Sequence, residues 1–187
     1  MPKTIISPEQ VNNQWTLFLD RDGVINQRPI NDYVRAPEDF LFLPGAIEAI
    51  VKLSKIFGRI IIVTNQQGVG LGLMTEKSLK EVHDYMLAQI QQAGGRIDAI
   101  YACTMTKTVE NNCRKPLPAM GDQAKADFPA IDFEKSVMLG DTESDMLFAK
   151  ALGMLAVKIG DEQFEFVPDY CFESLLTFAL FISPELK

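Results

Sequence analysis

Apolar residues along this chain fall into short blocks separated by longer stretches of mixed character. Thr16–Leu19, Arg59–Val63, Ile97–Cys103, Ser136–Leu139 and Met154–Ile159 are such blocks. Continuous apolar runs of this length, rich in β-branched residues, predict strands covered on both faces. Between them the apolar period changes to that of a helix. Positions 46, 47, 49, 50, 53, 56 and 57 predict a helix over Ala46–Phe57, ended by Gly58. Thr75 is expected to cap a helix running to Ala93, with Glu76 and Lys80 as a spaced ion pair and Gly94-Gly95 as its stop. Further helices are predicted over Pro118–Phe128, Ser144–Leu152 (closed by Gly153) and Glu173–Phe181. Strands alternating with helices predict an α/β fold, a mainly parallel sheet with helices on both faces.

The remaining segments give the organisation. Residues 1–14 read as a lead-in arm. Residues 26–44 hold three prolines and little periodicity, which predicts a long loop with at most one extended piece. Such loops in compact domains are often functional. The terminal segment 161–187 is expected to pack against the rest. With 187 residues and no linker or repeat, a single domain over 1–187 is expected.

Composition narrows the partners. The net charge is −7, so a basic field for nucleic acid is missing. No apolar stretch reaches the length of a membrane span. Met1 to Gln14 lacks a charged-then-apolar signal pattern, and a cytoplasmic monomer is expected. The cysteines, Cys103, Cys113 and Cys171, are odd in number and suggest no disulfide framework.

The chemistry lies where the strands end. In a parallel sheet all carboxyl ends share one edge, where ligands bind. The first strand runs into Asp20-Arg21-Asp22-Gly23 and the second into Thr64-Asn65. The loop after the third carries Arg114-Lys115-Pro116, and the fourth strand leads to Asp141 and Asp145. On its own, Asp-x-Asp-Gly also reads as a polar turn. Four junctions together read as a phosphoryl-transfer site, which needs positioning and charge neutralisation above all. Asp20 is the expected nucleophile. Asp22 is the expected proton donor and acceptor. Thr64 is expected to donate to a phosphoryl oxygen and Lys115 to supply a point charge. Mg²⁺ is expected on Asp20, the Asp22 backbone carbonyl and Asp141, with Asp145 near it through water.

These motifs resemble those of the haloacid-dehalogenase-like (HAD) phosphatases. Leu-Asp-Arg-Asp-Gly-Val-Ile-Asn, Asp32-Tyr33-Val34, Phe42-Leu43-Pro44-Gly45, Val63-Thr64-Asn65-Gln66, Cys113-Arg114-Lys115-Pro116 and Gly140-Asp141 stand in that family's order over residues 15–175. The subgroup it is most similar to comprises the small heptose-bisphosphate and histidinol-phosphate phosphatases. The resemblance implies a Rossmann-like three-layer core with little or no cap domain. It also implies Mg²⁺-dependent hydrolysis of a small phosphorylated metabolite. Heptose 1,7-bisphosphate is the first expectation, with histidinol phosphate or another sugar phosphate as alternatives.

Two positions depart from the subgroup. Its zinc loop, Cys-x-His…Cys-x-Cys, reads here Cys103, Met105, Asn111 and Cys113. Two thiols do not meet the four-ligand need of structural zinc, so no zinc is expected. The two cysteines are read as packed small apolar residues, which leaves the 104–112 loop mobile or ordered by something else. Leu71 stands where heptose-type relatives often carry an arginine. The glycines at 68, 70 and 72 lack the dinucleotide spacing and are read as pliable backbone near a phosphate.

Further residues have weaker readings. Asn65, Arg114 and Arg28 are candidate substrate contacts, with Arg35 equally able to be solvated. Arg21, between the aspartates, should point to the opposite side of an extended segment and be structural. His83, the one histidine, falls mid-helix and is expected to be a surface or packing residue. Trp15 is expected at the edge of the core.

Overall fold

A computed structural model describes residues 7–30 and 32–183. Strands β1 (Thr16–Leu19), β2 (Arg59–Asn65), β3 (Ala99–Cys103), β4 (Ser136–Gly140), β5 (Leu155–Ile159) and β6 (Tyr170–Phe172) form one sheet in the order β3-β2-β1-β4-β5-β6. Every pairing is parallel. Helices α1 (Ala46–Leu53), α2 (Glu76–Gln92), α3 (Ala119–Asp127), α4 (Glu143–Leu152) and α5 (Leu175–Ile182) connect or cover the strands. The α/β, Rossmann-like expectation therefore holds. The β1–β2 connection is the long loop plus α1, and the β2–β3 connection is a loop plus α2, so neither holds a cap domain.

Strand alternation divides the core in two. Leu17, Leu19, Ile60, Ile62, Val137 and Leu139 face α1, α2 and α5. Phe18, Ile61, Val63 and Met138 face α3 and α4. The register places Leu19 beside both Ile62 and Leu139, so the ends of β1, β2 and β4 lie level. The strand order reverses direction at β1, and the crevice expected at such a switch point opens there.

Several boundaries differ from the sequence reading. The first helix stops at Leu53, where the Ser54 hydroxyl donates to the Ile50 carbonyl. Lys80 pairs with Asp84 at 2.5 Å rather than with Glu76. β6 escaped notice because three residues carry no period. Of the expected arm, residues 1–6 lie outside the described residues and Val11 packs into the core; Trp15, just beyond the arm, packs at the core's edge as expected.

The cysteine reading holds in part: Cys103 and Cys113 pack against the core as expected, but they are not free thiols. Cys103 and Cys113 form a disulfide, with Cα atoms 5.5 Å apart, and Cys171 is free and exposed. An odd count rules out complete pairing, not one pair. The bridge closes the 104–112 loop. Its sulfurs are bonded to each other, and Met105 and Asn111 complete no zinc set. A chain-entropy estimate for a loop this short gives about 2–3 kcal/mol of stabilisation. Thiol titration of the unfolded, unreduced protein should find one thiol, and Cys113→Ser should lower Tm by roughly 5–10 °C. Three thiols before reduction would contradict the bridge.

Candidate active site

Asp20 follows β1, and its backbone N–H donates to the Leu139 carbonyl at 2.9 Å, which ties the end of β1 to β4. Its Oδ1 accepts from the Arg21 N–H at 2.7 Å and lies 3.0 Å from Lys115 Nζ. Lys115 is almost fully buried. Its ammonium also meets Asp145 Oδ1 at 2.6 Å and donates to the Val63 carbonyl at 2.7 Å. Three acceptors thus hold one cation beside the expected nucleophile. Burial pulls the Lys115 pKa down, but Asp145 and Asp20 outweigh it and hold the amine charged.

Lys115 is placed from both ends. The Asn65 side chain accepts from the Lys115 N–H at 3.0 Å and donates to the Lys115 carbonyl at 3.2 Å. Asn65, expected as a substrate contact, uses its amide oxygen and one amide N–H to position Lys115, and it also lines the cavity over Asp20. Asp145 is likewise spent on the chain itself. Its Oδ2 accepts from the Thr142 N–H (3.0 Å) and hydroxyl (2.6 Å), which caps α4, while Oδ1 faces Lys115.

Among the described residues, Asp20, Asp141 and Asp145 each offer an oxygen within 4.8 Å of the others. Asp141 Oδ1 is buried with no hydrogen-bond partner. Gly23, at φ +85°, lets the chain pass so close that a Cβ there would lie 1.9 Å from Asp141 Oδ2. An all-oxygen set with an orphaned carboxylate oxygen fits a hard divalent cation. Without one, burial raises Asp20 to about 7 and Asp141 to about 8, helped by the carboxylates facing each other.

The sign of the resulting pH dependence follows. Both folded pKa values exceed the unfolded value of 3.8, so the folded state holds these protons more tightly. Their contribution to metal-free stability is full below about pH 4 and is lost as pH rises to about 8. Metal-free Tm should therefore fall between about pH 5.5 and 8.5, and Mg²⁺ should raise Tm more at the higher pH. A metal-free Tm that climbs across this range would contradict the assignment.

Asp22 sits differently from its partner. Arg21 Nη2 donates to both of its oxygens at 2.9 and 3.0 Å, Asn26 to Oδ1 at 2.9 Å, and Gln66 to Oδ2 at 2.7 Å. Burial pushes the Asp22 pKa up. Arg21 and the hydrogen bonds outweigh this and bring it below the usual value. The expectation that Arg21 points away fails because the segment is not extended. The chain turns at once, with the Arg21 carbonyl accepting from Ile25 at 2.8 Å, and the fully buried guanidinium folds back onto Asp22. Gln66 was missed as well. Its amide also donates to the Thr64 hydroxyl oxygen at 2.8 Å, which leaves the hydroxyl proton free to aim elsewhere. Its only sequence signal was its place in Val-Thr-Asn-Gln.

Around these groups opens a cavity of about 750 Å³, lined by Asp20, Asp22, Thr64, Lys115 and Asp141 and walled by Arg28, Lys107, Arg114 and Tyr33. Arg28 meets Asp141 Oδ2 at 3.2 Å and Glu162 at 2.6 Å. Arg35 pairs with Asp32 in solvent and does not line the cavity. The glycine-rich loop also answers to close packing at two of its glycines. A Cβ at Gly68 would meet the Tyr33 ring at 2.9 Å, and one at Gly70 the Thr104 carbonyl oxygen at 2.5 Å. Small residues there let three loops interlock around the cavity mouth.

Comparison with known proteins gives the same answer as the geometry. The HAD-hydrolase-like family matches residues 112–176. D-glycero-alpha-D-manno-heptose-1,7-bisphosphate 7-phosphatase of Mycobacterium tuberculosis is 37% identical over 177 residues, 92% of this chain and 93% of that protein. The chain belongs to the HAD phosphatases. The beta-anomer 7-phosphatase of Bordetella bronchiseptica is 34% identical over 73% of this chain and 75% of its own length. The D,D-heptose 1,7-bisphosphate phosphatase of B. bronchiseptica, solved with magnesium and phosphate, superposes with a TM-score of 0.82 at 28% identity. The match covers 91% of this chain and 99% of that one. As a HAD phosphatase, this chain is a phosphoric monoester hydrolase built on a parallel sheet.

Proposed function

We propose that this HAD phosphatase removes the 7-phosphate of D-glycero-D-manno-heptose 1,7-bisphosphate, working as a single capless domain and a monomer in the cytoplasm. The carrying observation is one cavity that joins Asp20 and Lys115 to a wall of further cations, Arg28, Lys107 and Arg114. A substrate with two phosphates uses both: one anion at the reacting centre, the other against planar or point cations. The relatives' names support the heptose bisphosphate.

In this reading Asp20 attacks phosphorus and forms an aspartyl-phosphate. Mg²⁺, held by Asp20, Asp141 and the Asp22 carbonyl, would offset charge on the phosphoryl oxygens. Lys115 opposes the burial that raises the Asp20 pKa, favouring the ionised nucleophile, and faces the transferring group. The Thr64 hydroxyl donates to a phosphoryl oxygen. Asp22, ionised in the free enzyme, takes up a proton as the anionic phosphate enters beside it, gives that proton to the leaving sugar oxygen, and then takes one from the water that opens the aspartyl-phosphate, losing it to solvent once phosphate leaves. Between turnovers the donors of Arg21, Asn26 and Gln66 stabilise its ionised form. Asp145 acts through Lys115, and Arg114 and Arg28 face the distal part of the substrate. Structural disulfides are rare in reducing compartments, so the Cys103–Cys113 bridge is an observation that weighs against the cytoplasmic placement.

The test is phosphate release with Mg²⁺ from both anomers of heptose 1,7-bisphosphate, histidinol phosphate and common hexose phosphates. The proposal predicts the highest kcat/KM for a heptose bisphosphate. Preference for histidinol phosphate, or uniformly weak turnover, would discard the heptose assignment.

A further inference from the structure

His83 lies on the buried stripe of α2, among Leu79, Val82, Met86 and Ile90. For packing alone an apolar residue would serve there. The imidazole Nε2 instead lies 3.1 Å from Arg21 Nη1, the guanidinium nitrogen turned away from Asp22. Arginine has donors only, so Nε2 must accept, and the ring must be neutral with its proton on Nδ1. Burial, followed by the Arg21 charge, lowers the His83 pKa to about 4, in keeping with a neutral ring. The Phe40 ring lies 5.9 Å from the guanidinium carbon. A fully buried Arg21 is thus held from two sides: the Asp22 carboxylate takes one edge of the fork and His83 takes the other nitrogen.

We infer that His83 and Arg21 form a positioning pair that sets the Asp22 carboxylate at the cavity wall. The inference rests on the reading of Asp22 as the proton-transfer group. The connection runs from α2, across the buried guanidinium, to a side chain that faces the reacting centre. A guanidinium left without its acceptor has a buried N–H unpaired, and it regains a partner by shifting. Asp22 is bound to it at two oxygens and moves with it. Small misplacements of a reacting group cost rate steeply. His83 touches neither substrate nor metal site and acts through Arg21.

Leaving-group dependence separates this role from a general loss of structure. kcat/KM reports steps up to departure of the alcohol, where the proton from Asp22 matters. An alkyl phosphate needs that proton, whereas p-nitrophenyl phosphate has a good leaving group and does not. Four proteins are compared with Mg²⁺: wild type, Asp22→Asn, His83→Phe, which keeps a ring without the acceptor, and His83→Gln, which restores an acceptor. The substrates are p-nitrophenyl phosphate and the sugar phosphate turned over fastest by wild type.

Asp22→Asn should lower kcat/KM for the sugar phosphate by roughly 10²–10⁴-fold and for the aryl ester far less. His83→Phe should show the same selectivity at about tenfold, with His83→Gln recovering most of the loss. Equal losses on both esters in His83→Phe, or no loss on either, would overturn the pairing. If Asp22→Asn itself shows no selectivity, the reading of Asp22 fails rather than the inference alone. Should His83→Phe not fold, Arg21→Lys, which keeps the charge but not the fork, must show the selective loss.

Discussion

Asp20→Asn is expected to abolish phosphate release, by at least about 10⁴-fold, because an amide cannot take the place of a carboxylate that forms a covalent intermediate. The fold should survive. The asparagine carbonyl oxygen can still accept from the Arg21 N–H and from Lys115, the two donors that Asp20 Oδ1 faces. Removing a carboxylate whose burial already raises its pKa to about 7 also relieves crowding with Asp145 and Asp141. Metal-free Asp20→Asn should therefore unfold at or above the wild-type temperature near neutral pH, while losing much of the Mg²⁺-dependent gain. Activity close to wild type in this variant would remove Asp20 from the mechanism.

Lys115→Met has the largest expected effect on stability. Lys115 Nζ lies 3.0 Å from Asp20, 2.6 Å from Asp145 and 2.7 Å from the Val63 carbonyl oxygen, with the side chain 1% exposed. Methionine fills the volume but leaves two buried carboxylates facing each other without a cation. Removing one partner of a buried charge pair costs about 3–5 kcal/mol. For a chain of this size that is a fall in Tm of roughly 6–20 °C. The carboxylates can escape by protonation, so the loss should grow as pH rises. Turnover should fall with it, since the cation that favours the ionised form of Asp20 is gone. Thermal unfolding of both proteins at acid and alkaline pH checks this. An unchanged Tm across that range would show that the three contacts carry no net stabilisation.

The strands that build the site were legible because they are doubly covered and continuously apolar, and because their chemistry falls abruptly at each end. Asp20, Thr64, Lys115 and Asp141 could be placed on one sheet edge before any coordinates. What the sequence did not reveal depends on how loops pack. Arg21 looked remote from Asp22 under strand alternation, yet the turn that starts at Arg21 brings the two together. Asn65 read as a substrate contact, and Gln66 carried no reading beyond its place in Val-Thr-Asn-Gln. Their amides are spent on Asp22, Thr64 and Lys115, which no period or spacing foretells. The Cys103–Cys113 bridge requires knowing that the 104–112 loop returns to its own start. The glycines at 68 and 70 answer to neighbours far off in sequence, Tyr33 and Thr104. His83 had only its helical position to read, and its partner lies 62 residues away.

The central claim is that phosphate passes through Asp20 rather than directly to water. The stereochemical course at phosphorus tests it most directly, with a substrate made chiral by oxygen isotopes and the released phosphate analysed. Two in-line displacements, first by Asp20 and then by water, predict overall retention of configuration. Inversion would mean a single direct attack by water and would contradict the account.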